Sequence, residues 1–318
     1  MRILAALGGS TLFRRGEVLS TANHMRAIEE ASRQLAGVLL GGDHLVITYG
    51  TASPLGLLGL QTLNGPRAAR LELDMLQAQS EGWVGYALEL GLRNALPPGA
   101  MVVSMVTQTL VDRHDHALHV RDTPVGPVFD KETAEHLAGE FGWRIGPAGR
   151  GWCRLVASPE PKDIIEIEAI RRLANTGVTV ICAGGGGIPV LRTASGQLAG
   201  VEAVVDKEAA SALLAERMEA DMLVMLTDFG GVYLDYGGPA QRLVASSGVH
   251  DLTAHMESFG GRGICNKVKA ACGFVTRTGK PAAIGRIADF AEVIAGRRGT
   301  YISPGNARIS FHDQAAHS

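Results

Sequence analysis

Val178-Thr179-Val180-Ile181-Cys182-Ala183 runs directly into Gly184-Gly185-Gly186-Gly187-Ile188-Pro189, and the fold is decided by this passage. A short apolar run rich in β-branched residues reads as a strand buried on both faces. The glycines that follow sit where open α/β sheets bind ligands, at the carboxyl end of a strand. Ordering four consecutive glycines surrenders much backbone entropy, so a flexible linker is the poorer reading. The run is not a Walker A loop, because no Gly-Lys-Ser/Thr follows. Nor is it a G-x-G-x-x-G fingerprint, because Pro189 takes the last glycine's place.

The same alternation extends outward in both directions. Ile3–Leu7, Leu45–Tyr49, Met101–Val106, Met222–Thr227 and Ala282–Gly285 are further apolar runs. Between them, Ala22–Leu40, Glu81–Leu92, Asp163–Asn175, Lys207–Glu219 and Asn266–Thr278 carry helical spacing. Strands alternating with helices predict an α/β fold: a three-layer αβα sandwich with an open, mostly parallel central sheet. Residues 112–161 break the rhythm with a His-rich stretch, the turn Thr123-Pro124-Val125-Gly126-Pro127, a helix near Lys131–Phe141 and a Gly/Arg/Trp-rich hairpin. So long an excursion between strands predicts a small protruding lid subdomain. One domain is expected over 1–318, with an N-terminal lobe of about 1–200 that includes the lid and a C-terminal lobe of about 201–318.

Composition narrows the partners. The 318 residues carry 30 Lys+Arg against 32 Asp+Glu, a formal net charge of -2, which offers no broad footprint for nucleic acid or an acidic membrane. Anion binding must be local, and 41 glycines are enough to build it from backbone N–H groups. Cys153, Cys182, Cys265 and Cys272 show no C-x-x-C spacing and read as free thiols of a reducing compartment. Met1–Leu7 imitates a short signal peptide, but Gly8-Gly9 and then Arg14 and Arg15 follow rather than a small-residue cleavage site. No run reaches the ~18 apolar residues of a spanning helix, so a cytoplasmic protein with no membrane partner is expected.

Several passages carry chemistry. Gly8-Gly9-Ser10-Thr11 leaves the first strand with backbone N–H groups open to an anion, although an isolated Gly-Gly is equally a tight strand exit. Val204-Val205-Asp206-Lys207 opens a helix with a carboxylate able to hold a lysine while that lysine meets a phosphoryl group; a solvated helix start uses the same residues. Leu226-Thr227-Asp228-Phe229-Gly230-Gly231-Val232-Tyr233 closes a strand with a hydroxyl, a carboxylate and a ring, which suits ribose and base as well as an ordinary turn. Lys267, placed at the start of its helix, adds to the positive potential there. His114, Asp115, His116 and His119 have neither partner cysteines nor an i, i+4 pair, so no metal site is read from them.

Taken in chain order these passages become specific. Ala6-Leu7-Gly8-Gly9, Leu73-Asp74, Ser80-Glu81-Gly82-Trp83-Val84-Gly85-Tyr86, Pro124-Val125-Gly126-Pro127 and Ser158-Pro159-Glu160-Pro161-Lys162 resemble the carbamate kinase family. So do Cys182–Pro189, Gly200-Val201-Glu202-Ala203-Val204-Val205-Asp206-Lys207, Thr227-Asp228 and Lys267-Val268, and together they span nearly the whole chain. The resemblance implies an αβα enzyme, usually a homodimer, that moves phosphate between ATP with Mg2+ and carbamate, often toward ATP from carbamoyl phosphate. It also implies that Lys207 and Lys267 contact phosphate and that Asp206 orients them. By the same resemblance Gly184, Gly185, Gly186, Gly187, Thr227, Asp228 and Tyr233 belong to the nucleotide side, and Gly8, Gly9, Ser10, Gly50, Thr51, Ala52 and Thr123 to the acceptor and its phosphate.

The acceptor half departs from the pattern that it resembles. Gly-Gly-Asn becomes Gly8-Gly9-Ser10, and His-Gly-Asn-Gly-Pro-Gln becomes Tyr49-Gly50-Thr51-Ala52-Ser53-Pro54. Thr51 removes an amide donor and Ala52 adds a Cβ where backbone would approach an anion. A lid lysine aligns with Thr123, with Arg121 as a possible substitute, and Gly-Ser-Met-Gly-Pro-Lys becomes Arg262-Gly263-Ile264-Cys265-Asn266-Lys267. Gly230 replaces a second aspartate. Three readings stay open: a phosphotransferase of this type with an altered small acceptor, a nucleotide-binding pseudoenzyme serving as a regulatory or scaffolding subunit, and another amino-acid-kinase activity such as an N-acyl-amino-acid or phosphonate kinase.

Overall fold

The computed structural model describes residues 1–13, 17–18, 20–63, 71–305 and 307–313; Arg14 and Arg15, read above against a signal peptide, lie outside them. A large sheet runs in the order Tyr233–Leu234, Arg242–Gly248, Thr300–Ser303, Ala282–Arg286, Met222–Thr227, Arg2–Leu7, His44–Tyr49, Thr179–Ile181, Val102–Ser104. From Ala282–Arg286 to Val102–Ser104 every pairing is parallel. Thr300–Ser303 runs antiparallel to Ala282–Arg286, and Ser310–Phe311 pairs with Arg242–Gly248 off the main path.

Arg2–Leu7 shows how the sequence makes three layers. Successive strand residues face opposite sides. Leu4 and Ala6 enter one core with Leu223, Met225, Leu214, Val268 and Phe274. Ile3, Ala5 and Leu7 enter the other with Ile28, Leu35, Val84, Leu88 and Phe290. Both faces are therefore covered, which is why the central strands read as continuous apolar runs rather than alternating ones. Each fully buried Leu or Phe contributes roughly 1.5–3 kcal/mol.

The lid is present as a three-stranded antiparallel sheet, Thr123–Phe129, Gly151–Val156 and Arg144–Ala148, with the helix Lys131–Phe141 beside it. It rises from a second sheet made of Leu198–Gly200, Ile188–Arg192, Gln108–Val111 and Pro161–Ile164. The two expected lobes share the central sheet, because Arg2–Leu7 pairs directly with both His44–Tyr49 and Met222–Thr227.

Three elements depart from expectation. The helix expected over Asp163–Asn175 begins at Ile167, because Pro161–Ile164 is drawn into pairing with Gln108–Val111. The expected helix Glu81–Leu92 extends over Leu73–Ala95, with Asp74 in its first turn favouring the dipole. A helix over Ala52–Leu63 was hidden by Pro54, Gly56 and Gly59; the proline falls in the first turn, where its missing N–H costs nothing.

Candidate active site

Gly8–Ser10, Gly50–Ala52, Gly184–Gly187 and Thr227-Asp228 follow four adjacent parallel strands and emerge at the same end of the sheet. The exits are packed backbone to backbone. Gly8 N donates to Leu226 O at 2.8 Å, and Gly50 N donates to Leu7 O at 3.1 Å. A Cβ at Gly50 would lie 2.6 Å from Gly9 N, so only glycine fits there. Ser10 Oγ donates to Asp228 Oδ1 at 2.8 Å, and Thr227 Oγ1 donates to the same oxygen at 3.0 Å. Ser10 thus ties the exit of Arg2–Leu7 to that of Met222–Thr227.

A cavity of about 620 Å3 opens between them. Gly8, Gly9, Ser10 and Ala52 line one side, and Thr227, Tyr233 and Lys267 line the other. Phe229, Tyr236 and Phe259 complete an aromatic end, where Tyr236 meets Phe229 and Tyr233 at ring separations of 6.1 Å. Flat apolar rings beside a phosphate-sized glycine cradle suit a nucleotide. Gly260, at φ +74°, lets the backbone pass the Tyr236 ring, which a Cβ would meet at 2.3 Å.

Lys207 and Lys267 come from different helices, Lys207–Arg217 and Arg262–Thr278. Lys267 was expected at its helix start, but that helix begins at Arg262, which carries Lys267 into the second turn. Both lysines meet the carboxylate of Glu208: Lys267 Nζ donates to Oε1, and Lys207 Nζ lies 3.4 Å from the same oxygen. Their side chains are only 10% and 13% exposed, and Lys207 Nζ is buried with no hydrogen bond. Burial, and then the neighbouring Lys267 charge, pull the Lys207 ammonium below its ordinary range against the attraction of Glu208. Burial pushes Glu208 up, but the two lysines outweigh it and hold the carboxyl down at about 2. Two largely desolvated cations share the Glu208 carboxylate, with Asp206 adding a second attraction for Lys207, so the cluster is a fixed cationic centre suited to an anion.

Asp206, expected to orient the lysines, attracts the Lys207 ammonium and bonds to both lysine-bearing helices. Its Oδ1 accepts Ala209 N at 2.9 Å as the helix cap, and its Oδ2 accepts Asn266 Nδ2 at 2.6 Å. Glu208 is the residue that sequence reading passed over; its signal was the unbroken charge run Asp206-Lys207-Glu208.

Gly184–Gly187, expected on the nucleotide side, pack beneath the acceptor loop and do not line the 620 Å3 cavity. Added Cβ atoms at Gly184, Gly185, Gly186 and Gly187 would meet Tyr49, Thr51, Val205 O and Thr109 at 2.2–2.5 Å. Gln77 Nε2 donates weakly to Gly184 O and Gly185 O, at 3.4 and 3.3 Å, and Thr109 Oγ1 donates to Gly186 O at 2.7 Å. Glu81 accepts Thr107 N at 2.8 Å below the loop, and burial pushes its carboxyl well above the ordinary range despite that bond. Thr51 is buried, while Ala52 is exposed at the head of its helix.

Thr123 stands apart from the acceptor loops. It pairs with Val156 within the lid and faces a separate cleft of about 670 Å3, which it shares with Asp206 and Arg262. Arg121 faces a third cavity of about 450 Å3 beside Leu55 and Glu202. The strand Thr123–Phe129 lies on the helix Ala52–Leu63, where a Cβ at Gly56 would approach Gly126 to 3.5 Å.

Comparison with known proteins follows this geometry. The family model described as "Amino acid kinase family" matches residues 1–286. A carbamate kinase of Haemophilus influenzae is 38% identical over 98% of this chain and 100% of its own length. One from Escherichia coli K12 is 40% identical over 95% of this chain and 99% of its own. The solved carbamate kinase of Giardia lamblia bound to AMP-PNP has a TM-score of 0.88 and 30% identity, covering 96% of this chain and 98% of that one. With strand-exit glycines, paired lysines and full-length similarity in agreement, the chain belongs to the amino acid kinase family and, within it, to the carbamate kinases.

Proposed function

We propose that this protein transfers a phosphoryl group between ATP and carbamate, forming ADP and carbamoyl phosphate, or ATP in reverse. The observation that carries the reading is the convergence of Lys207 and Lys267 on Glu208 beside a cavity walled by glycine exits and aromatic rings. Phosphoryl transfer needs little covalent help from a protein; it needs positioning and cations where charge spreads over the transferring group. In this reading a carbamate oxygen bonds to the γ-phosphorus as the bond to the β-bridging oxygen breaks. Lys207 and Lys267 neutralise the charge on the transferring group and on the departing ADP oxygen. Backbone N–H groups of Gly9 and Ser10 hold the phosphoryl oxygens, with Gly8 fixed to Leu226 O beneath them, Gly50, Thr51 and Ala52 form the acceptor wall, and Gly184–Gly187 support that wall from beneath.

Thr227, Tyr233, Phe229 and Tyr236 take the nucleoside, and Asp228 is the carboxylate at the rim able to hold Mg2+. Among the described residues no three carboxylate, histidine or cysteine side chains gather as a metal group. Asp228 would hold Mg2+ only as a companion of nucleotide phosphates, where the ion would neutralise phosphate charge. Thr123 is left out of the acceptor site, since it faces the other cleft. The pseudoenzyme reading is not favoured, because a scaffold has no use for two desolvated lysines on one carboxylate. The reading extends to a cytoplasmic homodimer. Exposed Tyr86 and Met101 supply apolar surface for it, and among the described residues no helix is long and apolar enough to cross a membrane.

The test is ATP formation from ADP and carbamoyl phosphate with Mg2+ in a coupled assay, with acetyl phosphate as the competing donor. Expected is turnover with carbamoyl phosphate that exceeds turnover with acetyl phosphate. ADP binding with no ATP formed from carbamoyl phosphate overturns the reading.

A further inference from the structure

Asn266 immediately precedes Lys267, and its Nδ2 donates to Asp206 Oδ2 at 2.6 Å. The other oxygen of Asp206 caps the helix that carries Lys207. One carboxylate therefore holds both the N-terminus of one lysine's helix and the residue next to the other lysine. On the far side of the same seam, Glu208 receives both ammonium groups. An amide donating to a carboxylate is a charge-assisted bond, among the stronger that a partly buried seam can hold. Asp206 and Asn266 line the outer cleft of about 670 Å3, so the bond lies outside the 620 Å3 cavity that Lys267 lines.

We propose that Asn266 is a positioning residue, clamped by Asp206 so that the helix Arg262–Thr278 delivers Lys267 to the same point as Lys207. A lysine stem has four rotatable bonds and much rotamer freedom. Fixing its base through Asn266 and its tip through Glu208 leaves the ammonium one place to be. The kinetic consequence rests on the phosphotransfer reading above; the clamp does not.

The test compares wild type with Asn266→Ala and with the isosteric Asn266→Asp, which removes the donor and sets a carboxylate against Asp206. Turnover number is expected to fall roughly tenfold in the alanine variant and further in the aspartate variant, the scale of a slight misplacement of a reacting group. The KM for ADP should stay within about twofold, because the nucleoside end is untouched. Competitive acetylation read by peptide mass spectrometry supplies a readout that needs no activity. Labelling of Lys267 should rise several-fold in both variants, while the exposed Lys131 stays unchanged as reference. Lys267 labelling equal to wild type in both variants overturns the clamp, as does a turnover number within about twofold of wild type in an active enzyme. A wild type that makes no ATP, with Lys267 labelling still raised in the variants, supports the clamp and sinks the phosphotransfer reading instead.

Discussion

His24 shows what a single buried ring imposes. It stacks on Phe13 at 4.1 Å and meets Trp83 edge-on at 5.7 Å, with 3% exposure and no partner for Nε2. Burial lowers its pKa from 6.5 to about 4, so it is neutral in the fold at physiological pH. The unfolded chain then binds the proton first as pH falls, and stability drops between pH 6.5 and about 4. Across that window the loss due to His24 amounts to roughly 3 kcal/mol. Chemical denaturation of His24→Leu should show a shallower acid-side loss than wild type; parallel curves would contradict the assignment. Since Phe13 lines the 620 Å3 cavity, the same ring supports the site wall.

At the scale of elements, the strand exits impose the strictest terms. Gly50→Ala sets a Cβ 2.6 Å from Gly9 N and 2.7 Å from Gly9 Cα, backbone that cannot swing aside. A cost of about 1–3 kcal/mol in unfolding free energy is expected. Turnover should fall with it, because the two loops that part are those that the proposed function sets against the phosphoryl group; wild-type stability and turnover in this variant would show that the loops yield. The central strands were legible because buried parallel strands are written as unbroken apolar runs, as in Met222–Thr227. The strand Pro161–Ile164 was not, because its partner lies some fifty residues earlier in the chain and its own sequence reads as a helix start. Lys207 and Lys267 were legible as lysines at the starts of expected helices and through the family resemblance. Glu208, Asn266, Gln77, Tyr236 and Phe259 were not, since each acquires its meaning from a neighbour that only folding supplies. The four glycines marked a close approach correctly, yet what approaches is Tyr49, Thr51, Val205 and Thr109.

At the scale of the whole molecule, the lid subdomain is tied to the segment that leads to Asp206-Lys207. Arg154 reaches from the lid to Glu202, and its guanidinium lies 4.9 Å from the Trp143 ring. Glu202 also accepts Leu73 N at 2.8 Å and sits in the segment that leads to Asp206-Lys207. The pair is partly exposed, so Arg154→Met should cost no more than about 1 kcal/mol of stability. Its larger effect should be a raised KM for carbamoyl phosphate with ADP affinity unchanged, measured by turnover and by calorimetry. An unchanged KM would mean that the lid needs no such tie. The reading as a phosphotransferase stands or falls on Lys207, buried and ion-paired with Glu208 at 3.4 Å. The decisive measurement is ATP formation by Lys207→Met from ADP and carbamoyl phosphate, beside ADP binding by the same variant. A loss of roughly 10²–10³-fold in turnover with ADP affinity kept is the expected result; turnover equal to wild type would contradict the assignment of Lys207 to the transferring phosphoryl group.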